Sequence, residues 1–207
     1  MPESLDIGTA AHGLHRWPLR RDDPLRAWDT ADLYLHQELG ETDCGRLLVL
    51  NDNFGALAIP LHAAAPVLWS DSHLTRLAIN HNLAANDLTP ESVTFVPADS
   101  EPEGAFDTVI ARFPKSLEFW HDTLLRLRPH LAPGARLLAG GMIKHTPRRA
   151  FELMEEIIGP TRTSQGWKKA RLAFAELDPE RDLLPNLPDA TYQIEGSGIT
   201  LSDGPNL

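Results

Sequence analysis

Length, composition and charge place this chain among folded proteins and exclude several other classes. Its 207 residues are 42% hydrophobic and 23% charged, which suits one packed α/β domain with a short appendage and excludes wholesale disorder. The net charge of −10 argues against non-selective nucleic-acid binding by the whole chain, and the single cysteine, Cys44, excludes an internal disulfide and a multi-cysteine metal site.

Residues 1–24 are polar and are predicted to form an N-terminal arm. Within the arm, Leu14–Arg20 is predicted to add an edge strand, because its proline suits the edge of a sheet better than the centre. A helix is predicted to begin at Asp22 or Asp23 and to end at Gly40, since apolar residues recur there at helical spacing.

Short apolar strands and amphipathic helices alternate after this helix. The predicted strands are 46–50, 65–70, 93–97, 106–111 and 135–140, and the predicted helices are 74–86, 116–131 and 147–158. A short helix interrupted by Pro60 is predicted after the first strand, and Lys168–Leu177 is predicted to be an edge strand. This order predicts an α/β fold with a mostly parallel seven-stranded sheet and helices on both faces.

The composition changes after Leu177, where a polar, proline-rich stretch follows. Thr191–Gly204 then predicts a small hairpin with its turn around Gly196–Gly198. We therefore predict a folded domain over residues 25–178, followed by a linker and hairpin over residues 179–207.

Ligands in open parallel sheets bind beyond the carboxyl ends of the strands, and these ends carry candidate cofactor-binding residues. Asp52 and Gly55 follow the first strand, where a dinucleotide or S-adenosylmethionine loop would lie. Asp71 follows the second strand, where a carboxylate can bind a ribose, and Asp99 follows the third, where it can bind an adenine amino group. The alternative is that these carboxylates only form turns and cap helices.

Two features indicate that such a cofactor site is vestigial. Asn51–Gly55 contains one glycine, whereas a cofactor loop needs several to bring its backbone close to the ligand, so Asn side chains and Phe54 are expected to fill the methionine space. Arg112–Lys115 (RFPK) follows the fourth strand. The order and spacing of these strand ends resemble an S-adenosylmethionine-dependent methyltransferase domain, and amino methyltransferases of this class carry here an Asn-Pro-Pro-aromatic turn that accepts hydrogen bonds from the amine. Arginine cannot accept one, so no catalytic residue is predicted.

Charge is distributed unevenly along the chain. From Arg112 to Arg171 there are 12 Lys/Arg and 5 Asp/Glu, whereas the remainder has 7 and 24. Cations beside an aromatic residue suit phosphate contact and base stacking in RNA. The predicted RNA-binding residues are Arg112, Lys115, Lys144, Arg148, Arg149, Trp167, Lys168, Lys169 and Arg171. The alternative is that these cations cap helices, pair with nearby glutamates or cluster by chance.

No segment has the pattern of a signal peptide or a membrane-spanning helix, so we expect a cytoplasmic protein without a membrane partner. The nine histidines include no pair at helical ligand spacing beside an acid, so no metal site is predicted.

Several motifs together resemble one protein family. LNDNFGAL, the Phe-Pro-Lys turn, GWKKAR and YQIEGSGITLSDGPN are similar to segments of the bacterial rRNA guanine-N2 methyltransferases of large-subunit type G, to which the small-subunit type C enzymes are related. The resemblance extends from Leu14 to Asn206 and matches only the N-terminal half of those enzymes. The glycine-rich cofactor loop and the Asn-Pro-Pro-Phe turn of the second half do not occur in this sequence.

The resemblance implies a Rossmann-like class I methyltransferase fold and a role as the RNA-engaging, non-catalytic N-terminal domain of an S-adenosylmethionine-dependent enzyme. It implies that ribosomal RNA and a C-terminal catalytic domain absent from this sequence are the partners. The cofactor would be bound by that second domain, and none is expected in this segment. Two alternatives stay open: a self-sufficient methyltransferase, and a structural brace that contacts no RNA.

Overall fold

The computed structural model describes residues 3–7, 10–21, 23–181, 190–194 and 199–203. Its regular elements follow the chain as β1 (Glu3–Ile7), β2 (Ala10–Leu14), α1 (Thr30–Leu39), β3 (Leu47–Leu50), β4 (Val67–Ser70), α2 (His73–Ala85), β5 (Thr94–Pro97), β6 (Phe106–Arg112), α3 (Leu117–Leu127), β7 (Leu131–Met142), α4 (Arg148–Ile157), β8 (Thr161–Thr163), β9 (Ala170–Glu176), β10 (Ala190–Ile194) and β11 (Ile199–Asp203).

The central sheet has seven strands in the order β5-β4-β3-β6-β7-β9-β8. The first five in this order pair in parallel, and β9 runs antiparallel to both of its neighbours. The mostly parallel seven-stranded sheet is therefore confirmed. Reversal of strand order beside β3 creates the crevice in which such folds bind ligands.

Helices cover both faces of this sheet. Alternate residues of a strand point to opposite faces, so Leu47 and Val49 of β3 pack in the core beneath α1 and α2. Leu48 and Leu50 pack in the second core, beneath α3 and α4. All four leucine and valine side chains are buried, which explains why this strand is apolar throughout.

The edge of the sheet differs from the prediction. Lys168–Leu177 was expected at the edge, but β9 lies between β7 and β8, and the edge strand is β8. The alternation in β9 is incomplete because Leu172 and Ala173 are both buried, one on each face of the sheet. With only three residues, β8 is too short to produce a periodic signal.

The arm also differs, because Leu14–Arg20 does not form an edge strand. The chain instead forms the antiparallel hairpin β1–β2, separate from the central sheet, and continues irregularly after Leu14. Side chains of α2 and its C-cap hold this segment: Asn86 Nδ2 donates to the carbonyl of Gly13 at 2.8 Å, and Asn82 Nδ2 donates to that of His15 at 2.8 Å. These bonds satisfy backbone groups that a neighbouring strand would otherwise bind.

Two predicted helices differ most from the structure. The first begins at Thr30, because Asp29 caps it by accepting a hydrogen bond from the backbone N–H of Ala31, and Asp22 lies outside the described residues. The segment containing Pro60 forms successive turns and one 3-10 turn at His62–Ala64 instead of an α-helix. Pro60 lacks the N–H that would continue a helix.

The predicted C-terminal hairpin is present as β10 and β11, which pair antiparallel from Ala190 with Asp203 to Ile194 with Ile199. Its predicted turn at Gly196–Gly198 lies outside the described residues, as does much of the preceding linker.

Candidate functional site

A cleft of about 1170 Å³ lies where β3, β4, β5 and β6 end. Asn51 and Asn53 line it from the loop after β3, and Ser70 lines it from the end of β4. Aromatic side chains, among them Phe95 and Phe119, contribute apolar surface. The cleft is open at the position where the fold places a ligand, so the sheet edge retains space for a nucleoside-sized molecule.

Asp71 and Asp99 both lie at this cleft, as predicted from their positions after β4 and β5. Both side chains are exposed, and Asp99 Oδ1 accepts a hydrogen bond from Ser100 Oγ at 3.2 Å. Exposed carboxylates at these two strand ends suit a ribose hydroxyl pair and an amino group on a base. The structure therefore brings these two predicted residues together.

Asp52 is buried and turned away from the cleft. One of its carboxylate oxygens accepts from the backbone N–H groups of Gly55 and Ala56, and the other accepts from Leu57 and Ala58, at 2.9 to 3.0 Å. Burial raises the pKa of Asp52, while the backbone N–H donors act in the opposite direction. Asp52 therefore organises the turn after β3, as its alternative interpretation holds.

Gly55 also serves the turn rather than the cleft. Its φ of 90° is unfavourable for residues with a side chain, and a Cβ atom there would clash with the side chain of Ile59. The carbonyl of Gly55 accepts from the backbone N–H of Ile59 at 3.0 Å, which closes one helical turn. Neither of the two predicted cofactor residues after β3 reaches the ligand space.

Phe54 does not occupy the cleft, contrary to the expectation that it fills the methionine space. It packs against the core beneath α1 and α2, its ring lies 5.8 Å from the guanidinium carbon of Arg16, and its carbonyl accepts from Asn82 Nδ2 at 2.7 Å. The two asparagines do face the cleft. The loop after β3 therefore fills the cleft only in part, and it does so with polar side chains.

Arg112 forms an ion-pair cluster with Asp29 and Asp32. Its guanidinium donates to both carboxylate oxygens of Asp29 at 2.8 and 2.7 Å, and Nη1 lies 2.7 Å from Oδ1 of Asp32. With its side chain only 17% exposed and two carboxylates bound to it, Arg112 has little free charge to offer a phosphate.

The two carboxylates of this cluster have opposite pKa shifts. Burial raises the pKa of Asp32 to about 6, against the effect of Arg112. Burial also acts to raise the pKa of Asp29, but the hydrogen bonds and charge of Arg112 outweigh it, so that pKa is lowered. Asp29 is thus the permanent counter-ion of Arg112.

The position that would orient an amine carries no side-chain acceptor. Arg112 and Lys115 line the cleft as donors only, and the Arg112 carbonyl already accepts from Asn51 Nδ2 at 3.1 Å. The cleft therefore retains carboxylates that suit the adenosine part of S-adenosylmethionine. Residues 112–115 do not fit methyl transfer to an amine.

Three predicted RNA-binding lysines form an exposed cluster next to the cleft, which we call the basic rim: Lys144, Lys168 and Lys169. The backbone N–H of Ile143 donates to the carbonyl of Lys169 at 2.9 Å, which joins the segment after β7 to the turn before β9. Met142 and His145, on either side of Lys144, line the cleft itself. The basic rim and the cleft are thus continuous.

The arginines at the start of α4 are exposed and paired. Arg148 Nε lies 2.9 Å from a carboxylate oxygen of Glu152, and Arg149 donates to both carboxylate oxygens of Glu156, at 2.5 and 2.8 Å. Surface pairs of this kind are weak and are screened by salt. These two predicted residues border the basic rim with partly neutralised charge.

Trp167 and Arg171 are half-buried. The ring of Trp167 packs 5.4 Å from that of Tyr34 on α1, and Lys168 Nζ lies 4.7 Å from the Trp167 ring centre. Arg171 Nε is buried and has no hydrogen-bond partner among the described residues. Trp167 therefore supports the basic rim from below.

Sequence reasoning missed Asp29, Asp32 and Tyr34. The pattern Asp-x-x-Asp was a detectable signal for the helix cap, since Asp32 Oδ2 accepts from the Asp29 backbone N–H at 2.8 Å. No local pattern connected either aspartate with Arg112, because they precede it by 83 and 80 residues in the sequence.

Among the described residues, no group of three His, Cys, Asp or Glu side chains is arranged to hold a metal ion. Within the same part of the chain, none of the helices has the length and apolarity needed to cross a membrane.

The chain is similar to known proteins over nearly its whole length. The family model of the RLMG N-terminal domain matches residues 2–179. Ribosomal RNA large subunit methyltransferase G of Pseudomonas putida strain GB-1 is 45% identical over 199 residues, covering 94% of this chain and 53% of that protein. The enzyme of the same name from Stutzerimonas stutzeri strain A1501 is 44% identical over 208 residues, covering 98% and 55%. The chain thus spans about half the length of these curated relatives.

A solved structure shares the fold. The T. thermophilus 16S rRNA N2 G1207 methyltransferase, solved with AdoMet and guanosine, superposes with a TM-score of 0.66 at 20% identity, covering 98% of this chain and 52% of that one. This similarity confirms the Rossmann-like class I methyltransferase fold.

Proposed function

Because the chain belongs to the family of RLMG N-terminal domains, we propose that it is the RNA-engaging, non-catalytic N-terminal part of an S-adenosylmethionine-dependent rRNA guanine-N2 methyltransferase. In this proposal, residues 25–178 form a degenerate methyltransferase domain. The linker and hairpin over residues 179–207 lead to a C-terminal catalytic domain that binds the cofactor. Ribosomal RNA is the substrate of the complete enzyme.

The observation that carries the non-catalytic role is the ion-pair cluster of Arg112, Asp29 and Asp32. An amine nucleophile needs an acceptor that aims its lone pair at the methyl group, and positioning supplies most of such an enzyme's rate enhancement. A guanidinium held by two carboxylates donates hydrogen bonds and accepts none. It therefore cannot perform that task.

Support for RNA contact comes from the basic rim. Three exposed lysines border a cleft large enough to hold a nucleoside, and the paired arginines of α4 follow Lys144 along the chain. Lysine and arginine side chains bind phosphate oxygens, and such contacts position a nucleic acid without reading its sequence. The rest of the chain is strongly acidic, so we expect attraction of RNA only where these cations lie.

The test is reversal of charge at Lys144, Arg148, Arg149, Lys168 and Lys169 to glutamate in the 207-residue chain. We expect RNA affinity, measured by fluorescence anisotropy on a labelled rRNA fragment, to fall by at least about tenfold and its salt dependence to flatten. The control reverses the exposed Arg20 and Arg21 of the arm, which should leave affinity unchanged. Unchanged RNA affinity in the variant with all five substitutions would instead favour a structural brace that contacts no RNA.

A second candidate is favoured by Asp71 and Asp99, which keep exposed carboxylates at the open cleft. In that case the chain itself binds S-adenosylmethionine.

A further inference from the structure

The turn before β9 has an uncommon backbone. Trp167 and Ala170 exchange hydrogen bonds in both directions, with N–O distances of 2.9 and 2.8 Å, and enclose Lys168 and Lys169 in a two-residue hairpin turn. The φ angles of the two lysines are 44° and 71°. Two consecutive positive φ angles are the signature of a type I′ turn, which strongly favours Asn-Gly.

Lysine is a costly residue at both positions. A Cβ atom in the left-handed region lies too close to the following carbonyl oxygen, and glycine avoids that contact. The other non-glycine residues with positive φ in the described part of the chain are isolated: Asn51, Ala65 and Asp87. The formation of the turn therefore does not explain its two lysines. Strain of this kind is typical of positions whose side chains have a function.

The surroundings hold the Lys168 ammonium group and the Lys169 backbone in place and leave both side chains accessible. Lys168 Nζ rests over the Trp167 ring, which packs against Tyr34, and Tyr34 Oη donates to the carbonyl of Gln165 at 3.2 Å. The Lys169 carbonyl accepts from Ile143, which brings Lys144 alongside. Both turn lysines are exposed. The turn is thus an exposed surface loop that packs on Trp167 and carries two adjacent cations.

We propose that the Lys168–Lys169 turn is a phosphate-binding site that contacts the backbone of RNA and does not read its bases. The inference rests on the proposed function and specifies the part of the RNA that this surface recognises. An ammonium group is a point charge with three donors, which suits phosphate oxygens. Trp167 is half-buried between Tyr34 and Lys168, so it supports the lysines and does not stack on a base.

The decisive variant replaces the two lysines with the residues that the turn favours, Lys168→Asn together with Lys169→Gly. We expect its midpoint of thermal unfolding to rise by roughly 2–4 °C, because the strain is relieved. We expect its RNA affinity to fall by about tenfold, with the slope of log affinity against log salt reduced by about 2. Oligouridine and oligoadenine of equal length should lose affinity by the same factor.

Two control variants separate charge from strain. Ala65→Gly relieves a left-handed residue at φ 45° without changing charge, so it should raise the melting temperature and leave RNA affinity unchanged. Lys168→Ala with Lys169→Ala removes the charges and keeps the strain. It should therefore weaken RNA binding without the gain in melting temperature.

The outcomes distinguish this inference from the proposed function. If the unaltered chain binds RNA and the Asn-Gly variant binds it equally well, the turn is not a phosphate site, although RNA engagement by other residues stands. If the variant loses affinity for only one of the two oligonucleotides, the turn reads bases and the inference is wrong. If the unaltered chain binds no RNA, both fail, and an acidic protein surface becomes the better partner for the turn.

Discussion

Two aspartates that look equivalent in the sequence have different roles in the structure. Asp52 and Asp71 each follow an apolar strand, and both were predicted to bind a cofactor. Asp71 lies exposed at the cleft, whereas Asp52 is buried beneath the turn after β3 and accepts four backbone hydrogen bonds. Which way a carboxylate points depends on which backbone N–H groups lack partners, and this is decided by the folded turn.

This difference predicts unequal costs of the same substitution. In the native turn, each of the two Asp52 carboxylate oxygens accepts from two backbone N–H groups. Asp52→Asn replaces one of these oxygens with an NH2 group, so two buried N–H groups lose their acceptor. We expect the free energy of unfolding to fall by about 3 kcal/mol. The matched control, Asp71→Asn at the exposed mouth of the cleft, should change the free energy of unfolding by less than about 0.5 kcal/mol. Urea denaturation followed by circular dichroism measures both, and equal effects would contradict the assignment.

At the scale of elements, apolar periodicity predicted six of the seven strands of the central sheet and the helices that cover it, but not the short strand β8. Two of the elements that differ have bounds set by contacts distant in sequence. The N-terminus of α1 is one: Asp29 caps the helix and also binds Arg112 at the end of β6. The arm is another, since Asn82 of α2 and Asn86, which follows it, bind the backbone around the end of β2. No periodic pattern within either segment contains this information.

The link between α1 and β6 predicts a pH dependence of stability. The pKa of Asp32 rises on folding from 3.8 to about 6, so its contribution to stability is fully present below about pH 4 and is lost as pH rises through 6. Asp29 has a lowered pKa, so its contribution to stability is present above the ordinary pKa of an aspartate and is lost as pH falls through the lowered value. The two pH windows are therefore separate.

We expect Asp32→Asn to remove this decline between pH 4 and 7. The unfolding free energy of the unaltered chain, minus that of the variant, should fall by about 3 kcal/mol as pH rises from 4 to 7. Chemical denaturation at half-unit pH steps measures it, with Asp71→Asn as a control whose curve should run parallel to that of the unaltered chain. A parallel curve for Asp32→Asn would mean that burial does not raise this pKa.

At the scale of the whole molecule, the sequence predicted the sheet, the strand ends at which the cleft lies and the segment that carries the cations. It did not predict that the edge would be open. The loop after β3 lacks the glycines of a cofactor site, yet Phe54 packs into the core and a cleft remains, lined by Asn51 and Asn53. The Phe54 side chain could pack either in the cleft or in the core, and which of the two it does depends on contacts with α2 that the loop sequence does not show.

The open cleft makes cofactor affinity a quantity to measure. We expect titration of the 207-residue chain with S-adenosylmethionine to give no calorimetric signal at micromolar concentration, because the loop offers asparagine side chains where a glycine-rich backbone would bind the methionine part. Titration with adenosine is the matched comparison, since Asp71 and Asp99 suit that portion alone. Micromolar binding of S-adenosylmethionine, abolished by Asp99→Ala, would favour the self-sufficient enzyme.

The antiparallel direction of β9 has a practical consequence for such measurements. Ala170 pairs with Met142 beside the cleft, whereas Glu176 pairs with Arg136 at the opposite end of the sheet, about 20 Å away. Glu176 is exposed, and the one native thiol, that of Cys44, is buried. Glu176→Cys would therefore provide a single reactive handle for attaching a dye or a sensor surface while the ligand-facing edge stays unobstructed.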